Sequence, residues 1–140
     1  MAVNTSPIFP ITPTNAVKTV VNSDSTNKVA VLTAGTYGTR IDSLMISTDD
    51  TAGHDVQLWL TISAVDYLIG TIAVAAGAGN TSGVVAKAVL SDANIRGFVI
   101  LDPFGNYVFY LKAAQVLKVS CPVAVTAAKT LYVTGLAGDY

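Results

Sequence analysis

Glutamate is absent from this chain, and all nine acidic residues are Asp. Glu and Lys are the usual formers of solvent-facing helix, whereas the abundant Val and Thr favour strands, so long surface helices are not expected. Charge of either sign is scarce, at 12% of residues about half the usual share. With a formal net charge of −1 and no basic cluster among eight Lys and Arg, nothing resembles a surface that tracks phosphates, and nucleic acid is not an expected partner. The one cysteine, Cys121, rules out an intrachain disulfide. It has the strand parity of Leu117 and Val119, which predicts a buried small apolar side chain rather than a nucleophile. No apolar run approaches the roughly 18 residues of a membrane span. Met1 to Asn4 has neither a basic start nor an apolar core, so the expectation is synthesis in the cytoplasm without Sec-type export and without a membrane partner.

What remains is a chain of 140 residues, 51% hydrophobic, the size of one domain with a core that needs neither metal nor disulfide. Its clearest signal lies between His54 and Val74. Val56, Leu58, Leu60 and Ile62 alternate with Asp55, Gln57, Trp59 and Thr61, the two-residue period of a strand with one buried face. Leu68, Ile72 and Val74 share a parity in the run that follows, interrupted by Gly70, and Ser63 to Asp66 are short enough to reverse the chain. An antiparallel hairpin is expected.

Further strands are expected at Val17–Val21, around Val29 and Val31, at Ile41–Thr48, at Leu117–Cys121 and at Thr130–Thr134. In Ile41–Thr48, Leu44 and Ile46 lie on one parity with Ile41 and Met45 on the other, so the strand is buried on both faces or bulged near Asp42 and Ser43. Phe98–Leu101 and Tyr107–Leu111 flank Asp102-Pro103-Phe104-Gly105-Asn106, where Pro suits the second position of a type I turn and Gly the left-handed position after it. A second hairpin follows. Val84–Leu90 fits a strand and a short helical turn equally. The fold class predicted is all-β, an antiparallel sandwich or jelly roll spanning residues 16–140.

Residues 1–15 are expected to form an extended arm. Pro7, Pro10 and Pro13 recur at the three-residue period of polyproline II, with Ile8 and Ile11 along a second edge and Phe9 as an aromatic anchor. A tail, an edge-packed strand and an arm lying on a neighbouring subunit are all compatible with that spacing. Trp59 and Tyr132 break the parity of their strands, which suits either an oligomer seam or a sheet covered on both faces, with sugar stacking as a more remote role.

Catalytic chemistry finds little footing. The only His, His54, follows Asp49-Asp50-Thr51-Ala52-Gly53, but zinc needs three or four convergent ligands and calcium loops place oxygens at alternate positions around a glycine. Solvated turn residues are the expectation here. No G-x-S-x-G elbow exists, and a single His leaves no second base for a triad, so no catalytic residue, metal site or cofactor is predicted. Ala75-Ala76-Gly77-Ala78-Gly79-Asn80-Thr81-Ser82-Gly83 reads as a mobile loop tip; a phosphate cradle would need a helix after it and a better-placed cation than Lys87.

Several stretches together resemble a family of small virion proteins of tailed bacteriophages. They are Asn4-Thr5-Ser6-Pro7-Ile8-Phe9; Leu32 to Leu44, with its T-A-G-x-x-G-x-R-I-D; Ser47 to Val56; Asp66-Tyr67-Leu68-Ile69-Gly70; Gly105-Asn106 through Leu117-Lys118-Val119; Thr126 to Thr130; and the terminal Gly138-Asp139-Tyr140. The chain departs from that pattern at Leu111-Lys112-Ala113-Ala114-Gln115-Val116. The resemblance implies a non-enzymatic component of the virion. Its most direct form is a decoration (cement) protein on the head surface, a jelly-roll homotrimer that binds the major capsid protein. A neck, tail or head-fibre component is the alternative, and a glycan-binding jelly roll a more distant one. Under this reading Pro7, Ile8, Phe9, Pro10 and Ile11 carry capsid or intersubunit contact, and Trp59 and Tyr132 sit in the oligomer seam.

Overall fold

A computed structural model of the chain describes residues 10–140. Ten strands build two antiparallel sheets: β1 (Thr12–Val21), β2 (Val29–Thr33), β3 (Thr39–Thr48), β4 (His54–Ile62), β5 (Val65–Val74), β6 (Lys87–Ala88), β7 (Val99–Leu101), β8 (Tyr107–Leu111), β9 (Val116–Ser120) and β10 (Thr130–Asp139). Pairing is nested. β1 pairs with β10, β2 with β9, β3 with β8 and β4 with β5, as though the chain were one long hairpin. Wrapping that hairpin brings β10 against β3 and β9 against β4, which gives a first sheet of order β1-β10-β3-β8-β7 and a second of order β2-β9-β4-β5. This is the connectivity of a jelly roll, with β6 added beside β3 and β7 at the edge.

The core lies between the sheets. Ile41 and Ile46 from β3, Leu131 and Val133 from β10, Val56 and Leu58 from β4, and Leu117 and Val119 from β9 are all buried there. Burying each large aliphatic side chain contributes about 1.5–3 kcal/mol before the entropy of ordering is subtracted. Cys121 joins this core, and burial pushes its thiol up to about 11.

Three bulges reset parity. In β2, Ala30 faces Lys118 and Leu32 faces Leu117, so Val31 is the extra residue. In β3, Ser43 faces Leu136 and Ile41 faces Ala137, so Asp42 is the extra residue; the bulge answers the double-sided pattern read from the sequence. In β5, Leu58 faces Gly70 but Trp59 faces Leu68, which makes Ile69 the extra residue. Inward positions of β5 are therefore Ile69, Ile72 and Val74, whereas Leu68, expected inside by parity, is 48% exposed. A one-residue insertion switches every later side chain to the other face.

Strand lengths also differ from expectation. β1 starts at Thr12 rather than Val17, so Thr12–Asn15 belong to the sheet and not to an arm ending at residue 15. Pro13 is tolerated because β1 is an edge strand, where a missing amide costs no ladder bond. The Ile11 amide donates to the Asp139 carbonyl at 2.8 Å, extending the pairing one residue further. β6 settles Val84–Leu90 as a two-residue strand on Met45 and Ile46, with Val89 and Leu90 buried behind it. The glycine-rich stretch 75–83 is docked rather than a free tip: Ala78 is buried, its carbonyl accepts the Thr48 amide, and the Gly77 amide donates to the Asp50 carbonyl.

Candidate functional site

At one end of the sandwich Asp50 and His54 form a closed pair. Nε2 of His54 lies 2.8 Å from Oδ2 of Asp50, and their exposures are 7% and 0%. The expectation of solvated turn residues is corrected here, because the β3–β4 corner folds inward beneath the loop that follows β9. Asp50 Oδ1 accepts the Ala52 amide at 3.0 Å and Oδ2 accepts the Thr126 amide at 2.8 Å. Burial alone would raise the Asp50 carboxyl, but the hydrogen bonds from Ala52, His54 and Thr126 outweigh it and hold the group well below the usual carboxylate range. A carboxylate accepts only, so Nε2 carries the shared proton.

An open cleft of about 360 Å³ adjoins this pair, lined by Gly53, His54, Asp55, Ala73, Val74, Pro122 and Val123. Among the described residues no three His, Cys, Asp or Glu side chains converge as metal ligands. No hydroxyl or thiol lines the cleft to act as a nucleophile beside His54. What the arrangement does is tie the corner loop, the start of β4 and the β9–β10 loop through one buried carboxylate.

Around Trp59 the outer face of the second sheet carries charges that pair with one another. Lys28 and Lys118 both reach Asp66, at 3.1 and 3.0 Å, and the Thr61 hydroxyl donates to the same carboxylate at 2.5 Å. The Thr61 hydroxyl first, then Lys118 and Lys28, draw the Asp66 carboxyl well below its ordinary range. Trp59 lies within this network. Its Nε1 donates to Ser120 Oγ at 2.8 Å, and the Lys28 ammonium sits 3.9 Å from its ring centroid. The off-parity Trp is thus half-covered by its own chain.

Tyr132 lies on the other sheet. In β10 it points outward between Thr19 of β1 and Ser47 of β3. The neighbouring outward rows are Val17–Thr134–Met45 and Asn15–Leu136–Ser43, and none of these side chains carries a charge. An open groove of about 340 Å³ runs through them, lined by Asn15, Val17, Ser43, Met45, Thr134, Gly135 and Leu136. Trp59 and Tyr132 therefore face away from each other on opposite sides of the sandwich. Pro7, Ile8 and Phe9 lie outside the described residues; of the arm, Pro10 packs on Gly138 and Ile11 is exposed.

Two of the sequence stretches meet at the far corner of the first sheet. The Gly35 amide donates to Thr39 Oγ1 at 2.9 Å, the Thr39 hydroxyl donates to the Asp139 carboxylate, and the Tyr140 amide donates to the Gly38 carbonyl at 3.2 Å. Gly38, at φ +102°, occupies a left-handed conformation with the Leu111 carbonyl only 2.8 Å from where a Cβ would stand. The T-A-G-x-x-G-x-R-I-D run and the terminal G-D-Y are one structural clasp. Tyr140 also stacks on Tyr110 with centroids 6.4 Å apart, and burial, then the Tyr110 hydroxyl, push its phenol up to about 12.

The hairpin β7–β8 forms where the sequence places it, but periodicity did not reveal that its apolar side chains are exposed. Phe98, Ile100 and Leu101 are exposed on the edge strand or beside it, and Phe104 stands at the turn. A sequence signal was present in Asp102-Pro103-Phe104-Gly105, a rigid turn carrying an aromatic where turns favour polar residues. Among the described residues no helix is long and apolar enough to cross a membrane. No protein-family model matches this chain, and no curated protein matches it in sequence.

Proposed function

We propose that this chain is a non-enzymatic structural protein of a bacteriophage virion, a decoration protein that binds the major capsid protein on the head surface and braces the shell. The observation that carries the reading is the run of uncharged outward rows across β1, β10 and β3, from Thr19–Tyr132–Ser47 to Asn15–Leu136–Ser43, set in a jelly roll whose opposite face pairs Lys28 and Lys118 with Asp66. A neutral sheet face with Val17, Leu136 and Tyr132 exposed is suited to contact rather than chemistry. The resemblance of the T-A-G-x-x-G-x-R-I-D and G-D-Y stretches to small phage virion proteins supports the same reading, and the two stretches meet at one corner of the first sheet. Function is then area. Modest contacts repeated around a symmetric oligomer and across capsid subunits multiply into avidity.

The test is reconstitution. Purified protein mixed with undecorated heads binds saturably under this reading, and its occupancy raises the temperature at which heads release DNA. Binding to isolated necks or tails, with heads ignored, would move the protein elsewhere in the particle. Deleting residues 2–9 removes the segment ahead of the sheet and is expected to weaken head attachment while leaving the unfolding midpoint unchanged. A deletion extending to residue 14 is unsuited to this purpose, since Thr12, Pro13 and Thr14 pair with Asp139, Gly138 and Ala137.

A further inference from the structure

Asp55 is the one aspartate that the fold leaves without a partner. Every other aspartate accepts a hydrogen bond from its own chain, whereas the exposed Asp55 carboxylate, at the start of β4, accepts none among the described residues. It lines the cleft of about 360 Å³ beside His54. β4 pairs with β9 only from Gln57 onward, so the cleft opens between Ala73 and Val74 of β5 and the departing chain at Pro122 and Val123.

His54 brings a second unused acceptor. Its side chain is only 4% exposed, and Nε2 donates to Asp50. With the proton on Nε2, the neutral ring carries a lone pair at Nδ1. Nδ1 has no hydrogen-bond partner among the described residues, yet no buried side-chain nitrogen or oxygen there lacks one, so the small surface that His54 keeps includes Nδ1. The buried Asp50 carboxylate fixes the tautomer and the direction of the ring, as an orienting carboxylate does for histidines that bind ligands.

What the cleft lacks selects its ligand. Neither Lys nor Arg lines it, and apart from His54 and Asp55 its side chains are aliphatic. Two acceptors beside an apolar wall suit a cation that carries its donors on an aliphatic stem. A guanidinium fits better than an ammonium, because its planar fork covers a carboxylate bidentately with donors left for a ring nitrogen, and its weaker hydration tolerates apolar neighbours. The volume lies at the lower end for ligand pockets and suits one side chain. Both arginines of this chain are engaged elsewhere, Arg40 with Asp42 and Asp102 and Arg96 over the Tyr107 ring. The geometry points to an arginine side chain of a different protein as the occupant of the cleft, its guanidinium on Asp55 and on Nδ1 of His54 and its methylenes against Ala73, Pro122 and Val123. The contact belongs to the second sheet, apart from the uncharged rows of the first, and does not depend on head attachment.

His54 is the only histidine, so its imidazole signals in a proton NMR spectrum report the cleft directly. N-acetylarginine amide titrated into the purified protein at pH 8 is expected to shift those signals saturably, with a dissociation constant in the millimolar range. N-acetylcitrulline amide, a neutral urea of the same shape, is expected to bind about tenfold more weakly, the scale of a charge-assisted hydrogen bond. Asp55→Asn is expected to lose about the same tenfold toward the arginine probe while keeping the urea unfolding midpoint, since the carboxylate has no partner in the fold to lose. Signals that do not shift saturably, citrulline binding as tight as arginine binding, or an affinity unchanged in Asp55→Asn would each overturn the site. Tighter binding of N-acetyllysine amide would overturn the choice of guanidinium.

Discussion

The Asp50 carboxylate holds His54, four residues ahead of it, and the Thr126 amide, 76 residues ahead, through the same oxygen. One buried group thus joins the β3–β4 corner to the loop between β9 and β10, two segments that the wrapped hairpin brings together only after folding.

Asp50→Asn is expected to destabilise the protein by about 1–3 kcal/mol, because an amide cannot accept from Ala52, His54 and Thr126 together and leaves a buried donor unpaired. The pH dependence follows in sign from the depressed carboxyl. A group whose folded pKa lies below its unfolded one stabilises fully above the ordinary carboxylate range, near 4, and that contribution is lost as pH falls from there through the folded value. Urea unfolding of wild type and variant between pH 3 and 7 should show a shallower acid limb in the variant. Parallel limbs would mean that Asp50 is not held as a carboxylate.

The β4–β5 hairpin turns on Ser63 and Ala64, both at positive φ, 49° and 64°. This type I′ geometry favours Asn-Gly, and a side chain in the left-handed region is strained by about 1–2 kcal/mol. Ala64→Gly is therefore expected to raise the urea midpoint, by about 1 kcal/mol once the added freedom of the unfolded chain is subtracted. A lower midpoint would show that the turn relaxes into another form.

At Gly135 a Cβ would stand 2.2 Å from the Ser43 carbonyl oxygen, a backbone atom next to the Asp42 bulge that cannot swing aside. Gly135→Ala is expected to cost about 1–3 kcal/mol by forcing β10 away from β3. A neutral effect on thermal unfolding would argue against the bulged register.

Trp59 is the sole tryptophan, so its fluorescence reports the second sheet alone. Lys28→Ala removes the cation over the ring and is expected to shift emission to longer wavelength and to increase acrylamide quenching. The stability change should stay within about 1 kcal/mol, the scale of an exposed cation–π contact. Unchanged quenching would mean that Lys28 does not shield the ring in solution.

Local chemistry determined a good deal before folding. Alternation at Val56–Ile62 and the Asp102-Pro103-Phe104-Gly105 turn depend on neighbours in sequence, so the sandwich class and both hairpins were legible. Clashing parity in Ile41–Thr48 left burial on both faces or a bulge near Asp42 and Ser43, and pairing with β10 decides for an extra residue at Asp42. Other features were decided by partners far along the chain. Leu68 faces outward because Ile69 bulges against Trp59, Lys87–Ala88 is a strand because Met45 and Ile46 accept it, and Pro13 is sheet because β10 runs on to Asp139 beside it. Asp50 and His54 read as solvated for the same reason: their cover comes from Thr126, and no local pattern records a contact 76 residues away. The groove on the first sheet is tertiary throughout, since it exists only where β1, β10 and β3 lie side by side, and sequence order keeps them apart.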